Sequence, residues 1–321
     1  MPATLNRRLL IGLCAATLAT TALAQSGSGA PIKLLVGFPA GGSIDLAARL
    51  VSDKLSAAMG ATVIVENRPG AGGRLASAVL KSAAPDGRTI MLAPSAPIVI
   101  APHTFRKLNY DPKTDFAPVA KLVNMPLAIA VGGDSPNKTL ADLTAWYKAN
   151  PSKAAFGTSA AGSQLHFLGL MYGQAIKMDL THVAYQGGAP LITDLIGGQI
   201  PAGIDQFPLE FYKTGKIRLL ATSSAERSPL IPDVPTFKEQ GVNVEGQAWI
   251  GAFVPARTPE PLVQKIGAAL IEAVNQPDIK AKLAAAGMES AGLAAPEYAA
   301  ELAKDNARWQ KVVEVSGFRA D

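Results

Sequence analysis

Short apolar runs alternate along this chain with stretches whose apolar residues recur every three or four positions. Residues 32–36 (Ile-Lys-Leu-Leu-Val) read as a strand. Ala47, Leu50, Val51, Leu55 and Ala58 then mark one face of a helix over 44–59. A strand over 61–65, a helix over 75–84 and a strand over 89–92 follow. A second series begins with a strand at 127–131, then a helix whose start is marked by Thr139 and Asp142 three residues on. Strands at 154–156, 181–185, 202–204 and 218–221 alternate with helices from Ser163 and around 191–196. After residue 247 the pattern gives one strand, 248–254, and then helix: Leu262, Ile266, Leu270 and Val274 share a face, and a last helix runs over about 296–315. Such alternation predicts βαβ units, with mainly parallel sheets flanked by helices. The helical tail has too little strand to form a lobe alone, so it is expected to pack on the first series. The expected architecture is a two-lobed α/β fold with a hinge and a central cleft. Lobe 1 is discontinuous, 25–125 plus 249–321, and lobe 2 spans 126–248.

The first residues change the picture of where the chain works. Arg7 and Arg8 precede the apolar run 9–16, and small residues at Ala22 and Ala24 fit a signal-peptidase site. The expectation is a signal peptide over 1–24, cleaved after Ala24, and a periplasmic protein. The run is shorter than the roughly 20 apolar residues that span a bilayer. The one cysteine, Cys14, lies in this segment, so the rest of the chain has no disulfide and no thiol nucleophile. A chain of this length buries an adequate core without staples, and is long enough for two lobes. Residues 26–29 (Ser-Gly-Ser-Gly) look like a flexible tail.

Loss of the peptide removes two arginines and no acid, so the formal charge of +5 falls by two. Without a lysine or arginine block, and with aromatics at only 6% of the chain, a nucleic-acid-binding face is excluded. The remaining mild positive charge suits an anionic ligand.

Three glycine-rich loops lie between a strand and a helix. They are 38–45 (Phe-Pro-Ala-Gly-Gly-Ser-Ile-Asp), 67–74 (Asn-Arg-Pro-Gly-Ala-Gly-Gly-Arg) and 157–163 (Gly-Thr-Ser-Ala-Ala-Gly-Ser). Glycine lets backbone approach a ligand, and Ser43 is placed to cap the helix behind the first loop. Helix starts offer unpaired N–H groups and partial positive charge that hold an anion. In open α/β sheets such turns sit at the carboxyl ends of strands, where ligands bind. A single loop of this build is more simply a tight connection with a cap; three of one build favour an anion site.

Other motifs fail. The stretch 70–75 begins like a dinucleotide fingerprint, but Leu75 stands where glycine or alanine belongs. The stretch 157–161 lacks the closing glycine of a nucleophile elbow. His103, His166 and His182 have no metal-ligand spacing, so neither a metal nor a cofactor is expected. Ser163, His166 and Asp205 suggest a triad, yet His166 would lie one turn along the helix that Ser163 caps, a poor geometry for a nucleophile and its base. No catalytic residue is expected.

Several stretches taken together resemble a known family. They are Phe38-Pro39-x-Gly41-Gly42-x-x-Asp45-x-x-Ala48-Arg49, Glu66-Asn67-Arg68-Pro69-Gly70-Ala71-Gly72-Gly73 and Ala84-Pro85-Asp86-Gly87. Phe156-Gly157 through Gly162-Ser163-x-x-His166, Tyr185-x-Gly187, Thr193-Asp194-Leu195-Ile196-Gly197-Gly198-Gln199, Val234-Pro235-Thr236-Phe237, Trp249-x-Gly251 and Trp309 continue the series. From residue 31 nearly to the end, order and spacing resemble the extracytoplasmic receptors of tripartite tricarboxylate transporters, the Bug family. The resemblance implies a fold like type II periplasmic binding proteins, closing on a small carboxylate held through backbone groups and water, and a membrane permease as partner. It points to Pro39, Ala40, Gly41, Gly42 and Ser43 as the first carboxylate loop and to Thr158, Ser159, Gly162 and Ser163 as its counterpart. The same resemblance implies that Ser95, His166 and Asp205 border the cleft and that Asp45 follows the first loop, as a ligand contact or only as its brace.

This chain departs from the pattern at Arg74, which could clamp a second carboxylate or simply be solvated, and at Ala184 and Gln186, which leave specificity there open. A monomer is expected. Two alternatives stay open at this point: a sensor whose closed form docks on a signalling receptor, and an exported hydrolase using Ser163 or Ser159.

Overall fold

A computed structural model describes residues 30–321, so the expected signal peptide, its cleavage after Ala24 and the tail at 26–29 lie outside the described residues. The first sheet contains β1 (Ile32–Val36), β2 (Val63–Asn67), β3 (Thr89–Pro94), β4 (Phe116–Met125), β10 (Ala248–Pro255) and β11 (Glu289–Ala294), in the order β11-β4-β10-β3-β1-β2. The second contains β5 (Ala128–Gly132), β6 (Ala155–Thr158), β7 (Thr181–Ala184), β8 (Gly203–Asp205) and β9 (Ile217–Thr222), in the order β7-β6-β8-β5-β9. The sheets are mixed rather than mainly parallel. Parallel pairing holds for β1 with β2 and β3, and for β6 with β7 and β8. Pairing is antiparallel where β10 meets β3 and β4, where β11 meets β4, and where β5 meets β8 and β9. The reason is connectivity: β4 carries the chain out to the second sheet and β10 carries it back, so the two lie side by side in opposite directions without a crossover helix.

Helices α1 (Ser43–Met59), α2 (Arg74–Lys81), α3 (Leu140–Ala149), α4 (Gln164–Ile176), α5 (Gly188–Ile196), α6 (Leu209–Lys213), α7 (Glu260–Asn275), α8 (Pro277–Ala285) and α9 (Ala295–Ser316) flank these sheets. None of the helices among the described residues is long and apolar enough to cross a membrane. In α1 the buried stripe is Ile44, Ala47, Ala48, Val51 and Leu55, and Gly60 ends the helix in a left-handed conformation at φ 64°. At α3 the Thr139 hydroxyl accepts the Asp142 N–H at 3.1 Å while the Asp142 carboxylate accepts the Thr139 N–H at 2.9 Å, the reciprocal cap that the spacing predicts.

Two strands are absent from the pattern reading. In β4, Pro118 breaks the apolar run at a bulge opposite Phe253, and Lys121 is buried in an ion pair with Glu301 of α9. A strand covered on both faces has no alternation to read, and proline at a bulge removes no ladder bond. Strand β11 has no fully buried residue to mark it, a register shift between Ser290 and Leu293, and Gly292 at φ 55°.

The motif residues near the end of the chain are packing residues. Trp249 is fully buried and its indole N–H donates to Asp305 of α9 at 2.9 Å. Gly246 and Gly251 leave room for Trp309 and Tyr298 of the same helix: a Cβ at Gly246 would stand 2.6 Å from Trp309, and one at Gly251 only 1.9 Å from the Tyr298 hydroxyl. These contacts seat α9 against β10. Gly251→Ala is expected to lower the unfolding free energy by about 1–3 kcal/mol or more, as overpacking does, read from the midpoint of urea unfolding; an unchanged midpoint would show that α9 is not seated this way.

Candidate functional site

The parallel strands of each sheet end at one edge, and the strand order reverses between β1 and β3 in the first sheet and between β6 and β8 in the second. Ligands of open α/β sheets bind at such reversals. Strand β1 runs into the loop before α1 and Ser95 follows the last residue of β3; β6 runs into the loop before α4 and β8 ends at Asp205. Except for Arg74, the expected site residues lie at these two reversals.

Pro39, Ala40, Gly41, Gly42 and Ser43 are exposed, whereas Asp45 behind them is only 3% exposed. The Asp45 carboxylate accepts from Gly41 N and Arg49 Nε at 2.9 Å each, and from Asn67 Nδ2 at 2.9 Å. Asn67 also donates to the Phe38 carbonyl at 3.1 Å. The Arg49 hydrogen bond, with help from Gly41 and Asn67 and against the effect of burial, pulls the Asp45 carboxyl down to about 2. Asp45 is thus spent on the protein and braces the loop. The expected Ser43 cap is not formed: Gly42 is the cap residue, Ser43 opens the helix, and no side chain caps it. Because the first helical bond is Leu46 N to Gly42 O, the N–H groups of Ser43, Ile44 and Asp45 have no acceptor among the described residues.

The second glycine loop supports the first. A Cβ at Gly73 would stand 2.9 Å from the Phe38 ring, and one at Gly37 would stand 2.8 Å from the Gly73 Cα. Arg74 is half-buried and lays its guanidinium over the Phe105 ring at 3.7 Å, a stacking contact that leaves the donors on the guanidinium edge unused among the described residues.

In the second lobe, Ser163 caps α4, accepting from Leu165 N at 3.2 Å and donating to the Ala160 carbonyl at 2.7 Å. The Thr158 hydroxyl is bonded to His182 Nε2 at 2.8 Å. His166 stacks on His182 with ring centroids 3.9 Å apart, and its Nδ1 accepts the Gly162 N–H at 3.3 Å. Burial, and then His182, lower the His166 pKa to about 4, so the ring is neutral near pH 7. Thr158 and His166 therefore hold the loop from behind. Ser163, His166 and Asp205 have their bonds elsewhere and form no relay, while Gln164 N and His166 N at the start of α4 have no acceptor among the described residues.

The lobes meet at the floor of the cleft. Ser95 donates to Gln164 Oε1 at 2.5 Å, and Gln164 Nε2 reaches the Gln247 carbonyl at 3.2 Å, so Ser95 ties the lobes together. Gln206 donates to the Gly287 carbonyl at 3.0 Å. Around Gln206 lie two adjoining hollows. One, of about 590 Å³, lies between Ser43, α6 and the end of α8; the other, of about 380 Å³, is lined by Gly188, Asp205 and Phe207. Both sizes fall in the range of small-molecule sites. A larger hollow of about 790 Å³ under the C-terminal end of α5 touches none of the glycine-rich loops. Sequence reasoning missed Gln164, Gln206 and Gly188 at the start of α5; only Gly187, within a matched motif, pointed nearby.

Asp45→Asn is expected to lower the unfolding free energy at pH 7 by about 1–2 kcal/mol. The native carboxyl lies below its unfolded value, so the native chain should lose this stability as pH falls from about 4 towards 2, and the variant should not. Denaturant titrations across that window check both.

The family model described as tripartite tricarboxylate transporter family receptor matches residues 47–318. BugT of Bordetella pertussis is 30% identical over 97% of this chain and 97% of its own length. The structure of MatC from Rhodopseudomonas palustris, with bound malate, is 31% identical with a TM-score of 0.73, covering 88% of this chain and 98% of that one. Another R. palustris protein, solved with adipate, is 29% identical with a TM-score of 0.77 over 90% of this chain and 98% of its own. The chain belongs to the tripartite tricarboxylate transporter receptor family and is a solute-binding receptor of it.

Proposed function

We propose that this protein is an exported periplasmic receptor that captures a small carboxylate between its lobes and delivers it to a permease of the tripartite tricarboxylate type. The observation that carries this reading is the row of N–H groups without acceptors at Ser43, Ile44 and Asp45, on a loop held open by a buried brace. Such a helix start is a ready anion site because unpaired donors and the helix dipole act together. The start of α4 offers a second set from the other lobe. A ligand reached by both sets binds the closed form better than the open one, and that difference in affinity drives closure. The malate and adipate bound by relatives support a carboxylate as the ligand class. The Arg7, Arg8 and Ala22–Ala24 pattern supports export.

A thermal-shift screen of the chain without residues 1–24, refolded to strip any carried ligand, tests this reading against mono-, di- and tricarboxylates and amino acids. A ligand at 100 times its Kd stabilises by about 2.7 kcal/mol, which raises the melting temperature. If no acid stabilises a folded protein, or if the stabilising acid is recovered chemically altered, the reading is wrong.

Ser43→Pro probes the donors themselves. Proline is well tolerated at the first position of a helix and removes only an N–H. The variant should keep its melting temperature and bind the stabilising acid at least about tenfold more weakly, the loss of one charged hydrogen bond; unchanged affinity by calorimetry would remove Ser43 N from the site.

A further inference from the structure

Among the described residues, the buried side-chain atoms without a hydrogen-bond partner are mostly neutral: an amide oxygen, three hydroxyls and an indole N–H. The exception is Asp205 Oδ2. Asp205 is 9% exposed, and its other oxygen accepts the Gln206 N–H at 2.8 Å. A buried carboxylate oxygen without a well-formed hydrogen bond carries a desolvation penalty. No lysine or arginine pairs with Asp205 among the described residues.

The place of this oxygen is informative. Strand β8 lies beside β6 at the reversal of the second sheet, so Asp205 leaves the sheet next to the loop that opens α4. Oδ2 lies 3.8 Å from the position a Cβ would take on Gly188, the first residue of α5, on the wall of the smaller hollow. An acid at this point repels a solute that presents only carboxylates. It favours one that brings a positive donor.

We propose that the captured solute is an amino acid, its carboxylate held by the free N–H groups that open α1 and α4 and its ammonium by Asp205 Oδ2. This rests on the receptor reading above and names the substrate class of the same cleft. Asp205 is then a specificity residue, and a charge-assisted bond to an ammonium satisfies the oxygen that the protein leaves unpaired. Burial raises the Asp205 carboxyl above its ordinary range; the Ser159 hydroxyl and N–H, which approach the carboxyl without a well-formed hydrogen bond, and the Gln206 N–H oppose the rise, and a bound ammonium lowers it again.

The test is calorimetry on acids that share a skeleton and differ only at the carbon beside the carboxylate: succinate, malate and aspartate; glutarate and glutamate; propionate, lactate and alanine; hydrocinnamate and phenylalanine. In at least one skeleton the amino acid should bind tenfold or more tightly than its hydrogen- and hydroxyl-bearing counterparts, and Asp205→Asn should erase that preference while a urea midpoint shows the variant folded. Asp205→Ser serves if the first variant does not fold. Counterparts that match or exceed the amino acid in every skeleton overturn the proposal and leave the carboxylate receptor standing, as does a preference that survives both substitutions. If no acid of any kind binds, the receptor reading and this proposal fall together.

Discussion

Asp45 reaches back from the first turn of α1 to the Gly41 N–H while it also holds Asn67 and Arg49. This buried carboxylate fixes an exposed glycine loop in one shape, and it does so without using the N–H groups of the helix start. Glycine loops lose much conformational freedom on ordering. A loop that had to be ordered by the ligand would spend binding energy on its own folding; here Asp45, Asn67 and the packing of Gly73 on Phe38 order it beforehand.

The same division of labour recurs in the second lobe. Thr158, His182 and His166 form a layer behind the loop, Ser163 closes the helix start, and Gln164 is tied across the cleft floor to Ser95. Phe318, from the segment after α9, sets its edge against His166 with ring centroids 5.3 Å apart, so the far end of the chain also touches the second-lobe loop. Side chains brace and backbone groups remain free to recognise. On the proposed reading this arrangement suits a family whose relatives hold ligands as different as malate and adipate on one scaffold, because a carboxylate subsite built of backbone groups does not depend on which side chains surround the rest of the solute.

That division also explains what could be read from residues alone. The alternation of strand and helix was legible because parallel strands with crossover helices impose two periods on the chain, and the reciprocal cap at Thr139 was legible because its chemistry is local. Strand β4 was not: Pro118 and the buried Lys121 interrupt a run whose pairing is set by β10, more than a hundred residues away. In the site, the glycine loops announced themselves by composition, but the roles inside them did not. Ser43 has the residue type of a cap and is not one, since Gly42 takes that position and Asp45 reaches back to Gly41. His166 looks chemical and is a packed, neutral ring, because His182, distant in sequence, stacks on it. Arg74 lies on Phe105, thirty-one residues further along the chain. Each of these turns on a partner that only the fold brings near.

The central claim, that a carboxylate is taken by unpaired N–H groups at two helix starts, is tested most directly by amide chemical shifts during titration with an acid found to bind. The account predicts that the largest shifts fall on Ser43, Ile44, Asp45, Gln164 and His166, one group from each lobe moving together at one stoichiometric equivalent. Shifts confined to the hollow under the C-terminal end of α5, around Trp146 and Ile196, would place the ligand elsewhere and contradict it.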